Sequence, residues 1–249
     1  MIKIKIFTVA LLSLCTLILS AKDYNATMFG VKSDGTTLNT RSIQKAVDFI
    51  NENGGGRLVI SVGRYLTGSI QLKSNVTIQL EEGAVLVGTT SIYDYKGVNG
   101  IKALIFADNQ ENIGITGKGV IEGQGADVLE NINIQIQKGH ITENISQISP
   151  MLIYMNGCGK VTIEQINLWD ACNSVQSYKD CKNINIKKVS IKSTVTTGSK
   201  GILLSDCDGV NISDSFFDTS GLELTSVGTS KNVSVVNCNN TKGKKIQAK

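Results

Sequence analysis

Acidic side chains in the C-terminal part of the sequence are the residues whose type best suits bond-cleaving chemistry. Two carboxyl groups can act as general acid and general base when a cleft tunes their pKa values. The candidates are Asp206, Asp208, Asp214, Asp218 and Glu223. The chain has one histidine, His140, so a metal site built from several imidazoles is excluded and a Ser-His-Asp triad would have to use it. The alternative interpretation is that all five acids are ordinary turn and surface residues.

Lysines and one tryptophan suggest a different chemistry, the binding of an anionic sugar polymer. Ammonium groups attract carboxylates, and an indole ring can stack on a sugar. The candidates are Lys200, Lys242, Lys244, Lys245 and Trp169. Their simpler interpretation is a solvated edge and tail for the lysines and core or rim packing for the tryptophan.

The glycine-rich stretch 117–125 superficially resembles a phosphate-binding loop. We expect no helix after it, so we interpret it as coil turns. The sequence therefore gives no reason to expect a cofactor.

The N-terminus has the order of a secretory signal peptide. Two lysines precede an apolar run over residues 6–19, and small residues follow up to Ala21. The run is shorter than the roughly 18 apolar residues of a membrane anchor. Cys15 would suggest lipid attachment, but bulky Leu14 stands where a small residue is needed. We expect removal of residues 1–21, a secreted or periplasmic protein, and no membrane contact afterwards.

Charge, length and cysteine content restrict the class of the mature chain, residues 22–249. The formal charge of +4 falls to +2 when two lysines leave with the signal peptide, and near-neutrality argues against nucleic acid as a partner. The length suits one domain with a real core. An odd number of cysteines in no CxxC spacing predicts small buried residues rather than a disulfide framework or a metal site. They are Cys158, Cys172, Cys181, Cys207 and Cys238.

A recurring tetrad organises the sequence. Each copy has a polar or glycine lead-in, a β-branched residue, any residue, and a second β-branched residue. The copies are Asn75–Ile78, Asn112–Ile115, Lys160–Ile163, Asn183–Ile186, Gly209–Ile212 and Asn232–Val235. The last four follow one another after 23, 26 and 23 residues, which is a solenoid period. The alternation predicts short strands that bury one face and stack coil on coil into parallel sheets.

Three segments depart from the repeat. Residues 41–51 have apolar side chains at helical spacing, with Asn39-Thr40 as the predicted N-cap and the glycines from Gly54 as the stop. This helix would cover one open end of the solenoid, because uncovered strand edges invite end-to-end self-association. Residues 91–101 and 126–149 fit no coil and are predicted to project as loops, with His140 in the second.

Four segments resemble the polygalacturonases, secreted enzymes that cut pectin. They are Phe29–Gly35 with the helix after it, Tyr65–Ile70, Leu80–Leu86 and Gly117–Gly125. The resemblance implies an all-β fold, a single-stranded right-handed parallel β-helix of the pectin-lyase-like type with a short N-terminal capping α-helix. This domain would span residues 22–249 and be short at its C-terminus. It also implies an O-glycosyl hydrolase that cleaves α-1,4-linked galacturonate with inversion, with an anionic pectin-type polysaccharide as partner.

The positions of that family's catalytic motifs carry other residues here. Lys200 replaces the acid of an Asn-Thr-Asp-Gly motif, and Lys244 replaces the histidine of a Gly-His-Gly motif. The stretch that should carry an Asp-Asp pair lacks it, and Asp218 and Glu223 are the nearest remaining acids. No arginine after Arg64 could supply an Arg-Ile-Lys motif. Because inversion needs both a carboxylic acid and a carboxylate, the resemblance implies impaired catalysis.

Three functional hypotheses remain open from the sequence. The first is a non-catalytic carbohydrate-binding β-helix that uses Lys200, Lys244 and Trp169. The second is a surviving hydrolase that uses Asp218 and Glu223. The third is a structural β-helix that is the shortened product of a longer gene.

Overall fold

The structure is a computed structural model that describes residues 22–247. The predicted signal peptide, residues 1–21, lies outside the described residues. Within them, no helix is both long and apolar enough to cross a membrane.

Short strands dominate the chain, and three α-helices interrupt them. The helices are α1 Thr40–Glu52, α2 Gly125–Gln137 and α3 Ile145–Ile148. Single 3₁₀ turns span Ala26–Phe29 and Ile92–Asp94. The first strands are β1 Asp23–Asn25, β2 Gly56–Ile60, β3 Gly63–Thr67, β4 Ile70–Gln71, β5 Val76–Leu80, β6 Ala84–Gly88, β7 Lys96–Val98, β8 Ile101–Asp108, β9 Glu111–Thr116, β10 Val120–Glu122 and β11 Met151–Asn156. The remaining strands are β12 Gly159–Glu164, β13 Asn167–Trp169, β14 Gln176–Lys179, β15 Lys182–Lys187, β16 Ser190–Ser193, β17 Ile202–Ser205, β18 Asp208–Ser213, β19 Phe216–Thr219, β20 Leu224–Val227, β21 Lys231–Val236 and β22 Asn239–Asn240.

Three parallel sheets run the length of the molecule, and each coil contributes one strand to each sheet. The first sheet has the order β1-β2-β5-β9-β12-β15-β18-β21. The second has the order β22-β19-β16-β13-β10-β6-β3, and the third β20-β17-β14-β11-β8-β4. Among the pairings of the described strands, only β7 with β8 is antiparallel. This is the stacked-coil architecture that the tetrad predicted.

All six tetrads lie in the first sheet and are stacked in register. Val161 pairs with Ile184, which pairs with Val210, so the β-branched positions form buried columns that become half-buried at Val233 and Val235 on the last coil. Every lead-in residue has a left-handed backbone, with φ between 50° and 75°. Asparagine and glycine tolerate this conformation better than other residues, so the lead-in bends the chain into each strand. Each tetrad in the sequence therefore encodes a turn at its lead-in residue, followed by a strand whose two β-branched side chains point into the core.

The core fills the space between the three sheets. The five cysteines beyond residue 22 are buried and unpaired, as predicted. Cys158, Cys181 and Cys207 occupy equivalent places on successive coils, each just before a strand of the first sheet. Gln176 and Tyr178 also point inward, and the tyrosine hydroxyl donates to the Gln176 Oε1 at 2.7 Å.

Helix α1 covers the N-terminal end of the solenoid, as predicted. Its buried face consists of Ile43, Ala46, Val47 and Ile50. The predicted N-cap is confirmed in position, since Asn39 is the N-cap residue and the helix begins at Thr40, although the Asn39 side chain makes no capping bond. Its amide instead binds the Lys32 backbone through both oxygen and nitrogen, which fixes the preceding loop against the helix.

The prediction that residues 91–101 and 126–149 are projecting loops is wrong. The first stretch forms a 3₁₀ turn and then strand β7, and the second forms α2 and α3. Ile92, Tyr95, Val128 and Ile132 are buried together with the main core. Their apolar side chains give these segments a packed face, which a repeat-based analysis does not detect. His140 lies in the exposed turn after α2, with its Nδ1 3.0 Å from Gln135 Oε1.

Helix α2 also corrects the expectation that no helix follows the glycine-rich stretch 117–125. The helix begins at Gly125, whose backbone N–H donates to the Asp170 carbonyl at 2.7 Å. A Cβ on Gly125 would clash with the Ala171 backbone. The backbone of the neighbouring coil at Asp170 and Ala171 therefore packs directly against the first residue of the helix.

Candidate functional site

The turns that lead from the second sheet into the third stack at one corner of the solenoid. The Gly221 N–H donates to the Ser199 carbonyl at 2.9 Å, and the Gly201 N–H donates to the Leu222 carbonyl at 3.0 Å. The Ile202 N–H donates to the Glu223 carbonyl at 2.9 Å. These bonds place Lys200 and Glu223 on consecutive coils.

Gly201 allows the close approach of these two turns. A Cβ at this position would clash with the Glu223 carbonyl oxygen, so a larger residue would force the coils apart. The glycine therefore fixes the spacing between Lys200 and Glu223.

Asn240 connects Glu223 to the last described turn. Its Nδ2 donates to Glu223 Oε1 at 2.6 Å, and its Oδ1 accepts from the backbone N–H groups of Lys242 and Lys244 at 3.0 Å each. The chain then folds back, and the Ile246 N–H donates to the Cys238 carbonyl. We call Lys200, Glu223, Asn240 and Lys244 the corner column.

A groove of about 240 Å³ lies at the C-terminal end of the corner column, beside Glu223 and Lys244. One wall is formed by residues 222–226 and the other by residues 244–247. Within the described residues, Glu223 is the only acid that lines it, facing Lys244 and Lys245.

Glu223 has a pKa below its usual value. Partial burial raises the pKa, but the hydrogen bond from Asn240 and the charges of Lys244 and Lys242 together outweigh burial. The side chain is therefore an ionised carboxylate at neutral pH. A glycosidase acid needs the opposite shift, because it must hold a proton for the leaving oxygen.

The lysines of this corner carry free positive charge. Lys242, Lys244 and Lys245 are exposed and Lys200 is half-buried. Across residues 22–247, the four salt bridges involve other side chains. Lys242 and Lys244 are therefore close enough to Glu223 to lower its pKa, Lys245 lines the same groove, and Lys200 lies on the preceding coil.

Asp218 lies on a different face from Glu223. It follows inward-facing Phe217 in β19, so it points outward from the second sheet, in register with Lys192. Glu223 precedes a strand of the third sheet. The structure does not bring the two weak catalytic candidates into one groove.

Trp169 lies on the same outer face as Asp218. Its side chain is 38% exposed, and its register neighbours are Glu122 and Lys192. It is therefore a surface residue rather than a core residue. It is also separate from the corner column.

The other acids hold turns of adjacent coils together. Asp206 accepts from the Thr229 N–H at 2.8 Å, a bond that lowers its pKa. Asp208 accepts from Asn232 and Asp214 accepts from Asn237, both at 2.7 Å. These contacts agree with the structural interpretation of the three aspartates.

No group of three or more His, Cys, Asp or Glu side chains between residues 22 and 247 could hold a metal ion. The sequence also gave no indication of Asn240. Its importance depends on the fold-back of residues 241–246, which the repeat pattern does not encode.

The chain is similar in sequence to known glycosyl hydrolases. Residues 54–246 match the model of Glycosyl hydrolases family 28. An exo-poly-alpha-D-galacturonosidase of Dickeya chrysanthemi is 26% identical over 246 residues, which cover 80% of this chain and 40% of that protein. The chain therefore spans about two fifths of that relative's length.

Solved structures support the same relationship. A protein of Parabacteroides merdae, proposed to be a glycosyl hydrolase, is 53% identical with a TM-score of 0.86, and the match covers 91% of this chain and 99% of that one. The family 28 exopolygalacturonase of Yersinia enterocolitica is 22% identical with a TM-score of 0.79, over 89% of this chain and 49% of that one. The fold prediction, a right-handed parallel β-helix, is confirmed.

Proposed function

This chain belongs to the glycosyl hydrolases of family 28, and from that premise we propose that it binds a pectin-type anionic polysaccharide but is impaired in hydrolysing it. The proposal includes export by the signal peptide at residues 1–21 and one folded domain over residues 22–249. A secreted or periplasmic location would give the protein access to such a polymer.

The observation that carries the proposal is the stacking in one corner of the two altered motif positions, Lys200 and Lys244, with Glu223, an acid near the missing Asp-Asp pair. Lys200, Glu223 and Lys244 supply two cations and one ionised carboxylate. An inverting hydrolase needs a protonated carboxyl group and a second carboxylate about 6.5–9.5 Å away. Asp218, the other weak candidate, points from another sheet. The corner therefore suits charge recognition better than proton transfer.

The lysine side chains of the corner are positively charged and at least partly exposed, so they can bind an anionic polymer. Uronate carboxylates would pair with the Lys200 and Lys244 ammonium groups, while Asn240 keeps the Glu223 carboxylate engaged. Exposed ion pairs are individually weak, so affinity would come from several contacts along the polymer. It would also fall with added salt, because ions screen exposed charges.

Calorimetric titration with a galacturonate oligomer of defined length tests this proposal. We expect Lys200→Ala and Lys244→Ala each to weaken binding about two- to fivefold, from about 0.4–1 kcal/mol per exposed ion pair. Lys187→Ala is the matched control, because Lys187 lies in the first sheet, away from the corner. Absence of binding, or an equal effect of all three variants, would contradict the proposal.

Trp169 is a second candidate contact, carried by its exposure on the outer face of the second sheet. An indole ring there can stack on the apolar face of a sugar. A Trp169→Ala variant in the same titration would show whether the polymer also reaches this face.

A further inference from the structure

Three of the buried cysteines form a row inside the solenoid, one on each of three successive coils. We call Cys158, Cys181 and Cys207 the cysteine row. The Lys182 N–H donates to the Cys158 carbonyl at 2.8 Å, and the Asp208 N–H donates to the Cys181 carbonyl at 3.0 Å. Neighbouring strands lie about 4.8 Å apart, and disulfides join Cα atoms about 4.4–6.8 Å apart. Adjacent members of the row are therefore close enough to be cross-linked without a change in coil spacing.

Within the cysteine row, Cys158 and Cys181 are in direct contact. The Cys158 backbone N–H donates to the Cys181 Sγ at 3.4 Å. A hydrogen bond between the two thiols lowers the pKa of Cys158 and raises the pKa of Cys181. The lowered pKa favours the thiolate of Cys158, which is the form of cysteine that attacks a disulfide.

The remaining cysteines lack this combination of contact and thiolate character. Burial raises the pKa of the thiols of Cys172, Cys207 and Cys238. The Cys207 thiol donates to the Tyr178 and Ser205 carbonyls, both at 3.4 Å. Of the five cysteines that the structure describes, Cys158 is therefore the one prepared to react, and Cys181 is its neighbour.

We propose that Cys158 and Cys181 form a disulfide that joins two successive coils when the protein folds in an oxidising compartment. The Cys158 thiolate attacks a disulfide of glutathione or of a thiol–disulfide oxidoreductase and releases one thiol. Cys181 then attacks the mixed disulfide and releases the second thiol, so two protons and two electrons pass to the oxidant. The inference takes its oxidising environment from the proposed export and does not depend on polysaccharide binding.

The cross-link has to form before the two coils close on each other. Cys158 is 1% exposed in the folded protein and Cys181 is fully buried, so an oxidant cannot reach them there. Strands from successive coils are distant in sequence and pair slowly, which leaves time for thiol exchange. The bond would join residues 23 positions apart and so restrict the unfolded chain, which stabilises the folded protein.

Peptide mapping of the refolded protein tests the linkage. The protein is reduced and unfolded in urea, refolded with reduced and oxidised glutathione, blocked with N-ethylmaleimide in urea, and digested with trypsin. Cys158 and Cys181 fall in peptides 139–160 and 180–182, and each of the other three cysteines beyond residue 22 falls in a different peptide. We expect these two peptides to be linked in most molecules and to separate on reduction. Five blocked thiols, or a link through Cys207, would overturn the proposal.

The effect of a reductant on stability is a second readout. We expect dithiothreitol to raise the unfolding equilibrium constant of the oxidised protein about 100-fold in a urea titration. The double variant Cys158→Ala/Cys181→Ala should show no such dependence, whereas Cys207→Ala is the matched control and should keep it. Equal stability of the unaltered protein with and without reductant, or loss of the dependence in Cys207→Ala, would contradict the proposal. Titration with a galacturonate oligomer reports on the proposed function separately, so the failure of either proposal can be recognised.

Discussion

At the scale of single residues, the contact between Glu223 and Asn240 determines what the corner column can do. The Asn240 amide binds the Glu223 carboxylate and two backbone N–H groups of the last turn at once. A carboxylate held in this way is favoured in its ionised form. The corner therefore keeps one fixed negative charge among its lysines.

Replacing Asn240 should raise the pKa of Glu223. In Asn240→Ala the carboxylate loses one of the groups that lower its pKa, so a ¹³C NMR titration should show a higher pKa for Glu223 than in the unaltered protein. Asn237→Ala is the control, because it removes a similar bond to Asp214 on the outer surface. An unchanged Glu223 pKa in Asn240→Ala would contradict this account.

The same pKa shift gives Glu223 a defined effect on stability. Because its folded pKa is lowered, the ionised side chain stabilises the fold above its unfolded pKa. That contribution is lost as the pH falls through the folded pKa. Urea unfolding between neutral and acidic pH should show a smaller loss of stability in Asn240→Ala than in the unaltered protein.

Sequence patterns predicted the burial of some residues but not the long-range contacts of others. The five buried cysteines follow from residue type alone, because free cysteine behaves as a small apolar side chain. Asn240 and the pair of Cys158 and Cys181 act through neighbours distant in sequence. No local pattern encodes such contacts.

At the scale of elements, the left-handed lead-in of each tetrad is the feature that sets the coil. Asn183 has a φ of 54°, and the equivalent position on the next coil is Gly209 with a φ of 75°. Side chains with a branched Cβ are strongly disfavoured in this conformation.

Asn183→Val should therefore destabilise the protein by about 1–2 kcal/mol, the cost of a left-handed backbone for an L-residue. Asn183→Gly should be close to neutral. Asn185→Val, two residues later on the outer face of β15, is the control and should also be close to neutral. Urea denaturation measures all three, and an Asn183→Val variant as stable as Asn183→Gly would show that the bend is not required.

The inward columns of the first sheet should dominate the stability of the coils. Ile163 is fully buried in β12, so Ile163→Ala should cost about 2–5 kcal/mol in the free energy of unfolding. Thr162, its outward neighbour, is the control, and Thr162→Ala should change stability by less than about 0.5 kcal/mol. Equal losses in the two variants would contradict the inward orientation of the tetrad.

The tetrad predicted the strands correctly because its period corresponds to one coil of the solenoid and its alternation corresponds to a strand with one buried face. The helical segment 125–149 was not predicted because its amphipathic pattern occurs once and belongs to no repeat. Its packing against Ile92 and Tyr95 depends on another departure from the coil, so neither stretch indicates the other in the sequence.

At the scale of the whole molecule, the scaffold of family 28 is retained, and we propose that the chemistry of one corner has changed. The coil stacking that brings Lys200, Glu223 and Lys244 together does not depend on which side chains stand there. A solenoid can therefore lose catalytic acids and keep an extended surface for a polymer. The last coil has an unpaired edge at β21 among the described strands, so end-to-end self-association stays a prediction.

The central claim, impaired hydrolysis at a retained binding corner, is tested most directly by a reducing-end assay on polygalacturonate with an active polygalacturonase as the positive control. We predict no release of reducing ends above the protein-free blank across pH 4 to 8, because Glu223 cannot act alone as both acid and base. Sustained release of reducing ends that disappears in Glu223→Gln or Asp218→Asn would contradict the account and show that the chain still carries out the hydrolysis typical of the family.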